Sequence, residues 1–192
     1  MDAGTMPSED HVEAHETAFA DVPRIETMVQ LYFDVVWRSL RRLGVPDGAV
    51  DDAAQQVFLV AARKLDTIEP AGEKPYLLGI AVRVASDARR TQARRREVSD
   101  DSLGDHTAPE PSPEDLVDRK RARQLLDRVL AVMPMDLRAA FTMFEIEGMS
   151  VPEVARALDI PLGTASSRLR RAREQFHELV RRMGPSAGGR RV

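Results

Sequence analysis

Residues 150–182 read SVPEVARALDIPLGTASSRLRRAREQFHELVRR, and they set the interpretation of the rest of the chain. Ser150-Val151-Pro152-Glu153 is a capping box, in which the serine meets orphan N–H groups of a helix start and Glu153 reaches back to it. The helix it opens carries Val154, Ala155 and Leu158 on one side. Asp159-Ile160-Pro161-Leu162-Gly163 supplies the residues of a tight turn. A second helix follows from Thr164, with Ala165, Leu169, Ala172, Phe176 and Leu179 as its inward stripe. At about 100° per residue, Ser167, Arg170 and Arg171 lie opposite that stripe. Two short helices joined by a small turn, the second arginine-rich on its outer face, form a helix-turn-helix. The first residues of such a second helix are the ones expected to meet base edges in the major groove. A helical hairpin with a merely solvated outer face is the competing interpretation.

Upstream, the same periodicity recurs. Leu116, Leu125, Leu126, Val129, Leu130 and Met133 mark a helix that Ser112-Pro113-Glu114-Asp115 starts and Pro134 stops. A short helix with Leu137, Ala140, Phe141 and Phe144 is closed by Gly148. Nearer the N-terminus, Met28, Val29, Tyr32, Val35, Val36, Leu40 and Leu43 predict a helix from Ile25. Ala54, Val57, Phe58, Ala61 and Leu65 predict a second. Asp66 to Pro75, with Pro70, Gly72 and Pro75, reads as a loop, and a third helix is expected from about Tyr76 into an arginine cluster. No stretch alternates as a strand does.

The expected fold is therefore all-α: two small helical domains joined by an acidic flexible linker, the second containing the helix-turn-helix. Expected boundaries are an acidic disordered arm at 1–23, a first domain at 24–97, a linker at 98–112, a second domain at 113–183 and a flexible tail at 184–192. The chain has 192 residues, 43% of them hydrophobic, which is enough apolar material for packed cores. It has no cysteine, so disulfide scaffolds, thiolate zinc sites and cysteine nucleophiles are excluded. The apolar run Leu77–Val82 is too short to span a bilayer, and the first residues lack a signal-peptide pattern, so a cytoplasmic location is expected. The histidines (His11, His15, His106, His177) are scattered, and His11 and His15 lack a third ligand. Neither a metal, a cofactor nor an enzyme active site is expected.

The formal charge of −3 conceals strong segregation. Residues 1–23 carry six acids without Lys or Arg, and residues 97–118 carry eight, again without a basic partner. Residues 83–96 hold six arginines against Asp87 alone, and residues 168–182 hold six against Glu174 and Glu178. Of 28 basic residues all but Lys64, Lys74 and Lys120 are arginine, whose planar fork suits phosphates and guanine edges. From composition alone these runs are equally well solvated helix faces.

Residues 145–179, EIEGMSVPEVARALDIPLGTASSRLRRAREQFHEL, resemble the C-terminal promoter-reading domain of bacterial extracytoplasmic-function sigma factors. DDAAQQVFLVAARKLDTI (51–68) looks like that family's polymerase-binding helix, and YLLGIAVRVASDARRTQARRR (76–96) like its −10-reading helix. The resemblance covers about residues 25–97 and 117–182. It implies a non-catalytic specificity subunit that binds core RNA polymerase (β′ clamp and β flap) and promoter DNA, with an anti-sigma factor as a further partner. It assigns polymerase binding to Asp52, Gln55 and Phe58. It assigns −10 recognition and melting to the 66–75 loop, Tyr76, Arg83, Arg89, Arg90 and Arg94. To −35 recognition it assigns Ser166, Ser167, Arg168, Arg170 and Arg171. Phe58 and Tyr76 also fit as packing aromatics. The chain departs from the family pattern at Gln56 (commonly glutamate), Arg83 (asparagine), Gly79 (arginine) and Ser166 (lysine or arginine). A conventional helix-turn-helix regulator acting without polymerase is the alternative.

Overall fold

The computed structural model describes residues 10–98 and 114–184. Three helices form the first module: α1 (Asp10–Arg42), α2 (Val50–Ala62) and α3 (Glu73–Val98). Four form the second: α4 (Glu114–Val132), α5 (Met135–Phe141), α6 (Val151–Leu158) and α7 (Leu162–Met183). Among the described residues there is no strand, in keeping with the all-α expectation. No helix among them is long and apolar enough to cross a membrane.

The stripes expected from periodicity become the cores. Val36, Leu40, Leu43, Ala54, Val57, Phe58, Ala61, Leu65, Leu77, Ile80, Ala81 and Ala85 are buried together in the first module. Val129, Leu130, Met133, Leu137, Phe141 and Ala172 form the second core, where the Phe141 and Phe176 rings stack 4.4 Å apart. Gly148 lies at φ +70°, a left-handed backbone that suits glycine, and it separates α5 and its continuation from α6.

Several boundaries differ from the sequence expectation. Helix α1 starts at Asp10 rather than Ile25, so residues 10–23 of the expected arm are helical. Their alanines and glutamates favour a helix by intrinsic propensity. The expected loop 66–75 contains two 3₁₀ turns, Leu65–Thr67 and Pro70–Gly72, and α3 already begins at Glu73. Pro75 is tolerated because first-turn N–H groups have no intrahelical acceptor. Helix α7 likewise starts at Leu162, ahead of Thr164. After Phe141 the chain widens into a π turn over Thr142–Ile146. The Ser112–Pro113 helix start, the linker apart from Val98, and the tail beyond Gly184 lie outside the described residues.

The two modules pack against each other. Helix α6 lies on α3, where a Cβ on Gly79 would come within 2.5 Å of the Ala157 carbonyl oxygen. Leu78 of α3 is buried with Ala140, Met143, Met149 and Val154 of the second module. Glu147, with a side chain only 8% exposed, receives Arg42 Nη1 at 2.9 Å and the Ser39 hydroxyl at 3.3 Å. Its carbonyl oxygen accepts from Lys74 Nζ.

Candidate nucleic-acid interface

The helix-turn-helix is built as its sequence dictates. The Glu153 carboxylate accepts both the Ser150 backbone N–H at 2.7 Å and the Ser150 hydroxyl at 2.6 Å. These bonds, led by that of the hydroxyl, hold the Glu153 carboxyl below the usual glutamate range. A carboxyl with a depressed folded-state pKa stabilises the fold above its unfolded pKa, and that stability is lost as pH falls through the folded value. Glu153→Ala is therefore expected to cost about 1 kcal/mol at pH 7, the usual worth of a helix cap. Thermal unfolding of wild type and variant between pH 7 and pH 3 should show that difference shrinking towards acid. Asp159 ends α6 at φ 52°, and the left-handed turn swings the chain into α7.

The first turn of α7 contains no acidic residue, so its free N–H groups and positive dipole end are open to an anion. Ser166, Ser167, Arg170 and Arg171 are all exposed, while Ala165, Leu169 and Ala172 are buried behind them. Arg170 pairs with Glu174 at 2.7 Å, a contact exposed enough to exchange for a phosphate at little cost. Arg168 departs from the expected set. Its side chain, 29% exposed, lies 3.5 Å from Asp136 at the start of α5 and so braces the module. It lies one residue before Leu169, at the edge of the buried stripe.

The residues expected around the −10 element divide. Tyr76, Arg83 and Arg90 recur every seven residues and so share one face of α3. Arg83 and Arg90 are exposed, Arg90 beside Asp87, whereas Tyr76 is half-buried against the first core. Arg89 sits about 100° away from that face. It turns to α5, with Nη1 3.6 Å from Met135 Sδ, a contact between the two modules. Arg94 lies in α3, but its side chain is outside the described residues. Tyr76 and Arg83 line a cleft of ≈ 490 Å³ whose other wall is Arg156, Ala157 and Asp159 of the second module. The loop beneath is held by Arg24, which the sequence expectation lacks. Its guanidinium meets Glu73 Oε1 at 3.1 Å and donates to the carbonyls of Leu65 and Ile68. Nothing but the pairing of a lone arginine with a distant glutamate could have signalled it.

On α2, Asp52 and Gln55 are exposed. Phe58 is not: it is 7% exposed and stacks on Phe33 at 6.3 Å, which makes it a core residue rather than a surface anchor. Helical spacing places Leu59 on the face of Asp52 and Gln55, and it is 49% exposed. Its place off the Ala54-Val57-Phe58-Ala61 stripe was the available signal.

The fold and the exposed face of α7 together define a two-module helical DNA-binding protein. Family comparisons narrow this. The Sigma-70 region 2 model matches residues 28–95, and the model for Sigma-70, region 4 matches residues 123–176. The ECF RNA polymerase sigma-E factor of Escherichia coli strain K12 is 35% identical over 145 residues, covering 71% of this chain and 76% of that protein. The ECF RNA polymerase sigma factor SigE of Mycolicibacterium smegmatis is 28% identical, over 84% of this chain and 63% of its own. The fold resembles the sigma factor RpoE crystallised with the anti-sigma factor NepR from Bartonella quintana (TM-score 0.66, 22% identity, covering 83% of this chain and 98% of that one). It also resembles CnrH in complex with the cytosolic domain of CnrY (TM-score 0.62, 23% identity, 90% and 97% covered). The chain belongs to the extracytoplasmic-function family of RNA polymerase sigma factors.

Proposed function

We propose that this sigma factor binds core RNA polymerase through the first module and directs it to promoters by reading a −35 element with α7 and a −10 element with α3. It acts in the cytoplasm, where polymerase is, and performs no catalysis of its own. The observation that carries this is the α7 surface: two serines and two arginines exposed at the acid-free N-terminal end of a helix, backed by a packed core. Phosphate contacts fix such a helix on the duplex and base-edge contacts select the sequence. The proposed polymerase contact is the α2 face of Asp52, Gln55 and Leu59, an anion and an amide around an apolar centre. Proposed −10 contacts are Tyr76, Arg83, Arg90 and Arg94, with the Arg24-braced loop receiving an extruded base. A base leaving the stack costs a few kcal/mol, which stacking and cationic contacts offset. Footprinting tests the assignment. With core polymerase the chain should protect two separated stretches of promoter; without polymerase it should protect neither. Strong protection of a palindrome by the chain alone would support the conventional regulator instead.

The packed arrangement places α6 across the cleft of Tyr76 and Arg83, so promoter engagement requires the modules to separate. In the family pattern the position of Gly79 is commonly arginine, and here only a hydrogen fits beneath Ala157. Gly79→Arg is expected to open the modules, raising the radius of gyration by several ångström in small-angle scattering without loss of helical content. An unchanged radius would contradict the closed arrangement.

Anti-sigma binding is a proposal on the same footing. Among similar folds, RpoE is crystallised with the anti-sigma factor NepR, and CnrH is seen with the cytosolic domain of CnrY. An added anti-sigma protein should compete with core polymerase for the face of Asp52 and Leu59.

A further inference from the structure

Helix α5 is buried from Leu137 to Phe141, and one of those buried positions is an arginine. Arg138 is the largest fully buried side chain among the described residues, at 2% exposure, and its Nε and Nη2 have no hydrogen-bond partner there. Burial, and after it the nearby Arg89, lower its pKa to about 10, so it remains a cation at neutral pH. A buried guanidinium without a counter-charge is among the costliest groups a fold can hold. Part of what buries it belongs to the other module. Its Nη1 lies 2.5 Å from where a Cβ on Gly44, just beyond α1, would sit. Arg89, the like charge beside it, comes from α3. The neighbouring Ala139 is fully buried in the first module's core, against which Met135 also packs. Parting the modules therefore uncovers Arg138 and removes a repulsion.

Other contacts between the modules favour closure. Leu78 sits among Ala140, Met143, Met149 and Val154. The Glu147 carboxylate, 8% exposed, takes Arg42 at 2.9 Å and the Ser39 hydroxyl at 3.3 Å, with Lys74 at 4.0 Å. We infer that Arg138 is a built-in counterweight to these contacts, an orphan cation that keeps the closed, autoinhibited arrangement near balance with the open one. Glu147 is the opposing latch. An apolar side chain at position 138 would extend the buried surface and make closure lasting, whereas a guanidinium is hydrated only when the modules part. The inference rests on the reading that promoter engagement separates the modules, and it adds the two residues that set how readily they do so.

The chain has no cysteine, so spin labels on Lys64→Cys and Glu178→Cys, both at exposed positions, report one distance between the modules. The full chain should show two distance populations of comparable size. Arg138→Met should shift them about tenfold towards the shorter distance and raise the thermal midpoint by about 2–4 °C. Glu147→Gln should shift the populations about tenfold the other way. Gly79→Arg, which parts the modules, should cancel the thermal gain from Arg138→Met, because the guanidinium is then already in water. A single short distance that neither variant moves, or a lower midpoint in Arg138→Met, would overturn the proposal. So would an equal thermal gain in the Gly79→Arg background, which would place the cost inside the second module. These measurements need no polymerase. Assembly with core polymerase on promoter DNA should weaken about fivefold in Arg138→Met, following the open fraction. Distances that respond while assembly does not would leave the counterweight standing and overturn the reading that engagement separates the modules.

Discussion

Replacing Arg170 and Arg171 together by alanine is expected to reduce promoter binding by the polymerase complex by about 30-fold or more, since side-chain contacts to DNA of this kind are worth roughly 1–3 kcal/mol each and a tenfold change is about 1.4 kcal/mol. Both side chains are exposed on α7, and among the described residues the one ion pair they form is the solvated pair of Arg170 with Glu174, so the fold should be unaffected. The salt dependence should change as well. Each phosphate left without its arginine takes about 0.9 from the slope of log affinity against log salt, so the double variant should be shallower by about 1.8 if both residues meet phosphates. Filter binding or anisotropy at several salt concentrations gives both quantities. Unchanged affinity together with an unchanged slope would show that this face of α7 is solvated and does not touch DNA.

A comparably strong effect is expected at Leu59. Its side chain is 49% exposed between α2 turns that also present Asp52 and Gln55, although an isolated exposed leucine is itself unremarkable. If it is the apolar centre of a desolvated contact, Leu59→Asp replaces a buried methyl cluster by an unpaired charge. Hot-spot residues of this kind cost about 2–4 kcal/mol when truncated, which is roughly 30-fold to 1,000-fold in affinity for core polymerase. Asp52→Arg should act in the same direction by reversing the charge presented to a basic partner. Helical content and thermal midpoint should stay near wild type, because neither side chain contributes to the core. Co-purification of both variants with core enzyme at wild-type yield would move the polymerase contact elsewhere.

What could be read in the sequence was whatever repeats at the helical period. The buried stripes of α2, α6 and α7 are legible because Val57, Phe58 and Ala61, Val154 and Ala155, and Ala165, Leu169 and Ala172 follow the spacing of one helix face. The capping box at Ser150 and the glycine turn at Gly148 are legible because they rest on chain-local chemistry. The N-terminal turns of α1 are not: the preference of each alanine and glutamate for a helix is small, and it marks no boundary. Nor are the contacts between the modules. The sequence marks Gly79 as unusual, but only the approach of Ala157 shows why a side chain is excluded there. The same holds for Arg89 and Arg168, which the family resemblance assigns to DNA and which meet Met135 and Asp136 in the packed arrangement. An arginine run reports charge, whereas the helical phase of each member decides whether that charge reaches solvent. Phe58 shows the converse, an aromatic whose family role suggested a surface and whose stripe position put it in the core.

Run-off transcription with purified core polymerase over a library of genomic fragments is the decisive experiment for promoter selection by this chain. Its addition should create new start sites preceded by two short motifs at constant spacing, and the Arg170→Ala/Arg171→Ala variant should abolish them. Start sites identical with and without the chain, in a preparation that binds core enzyme, would show that it does not direct initiation.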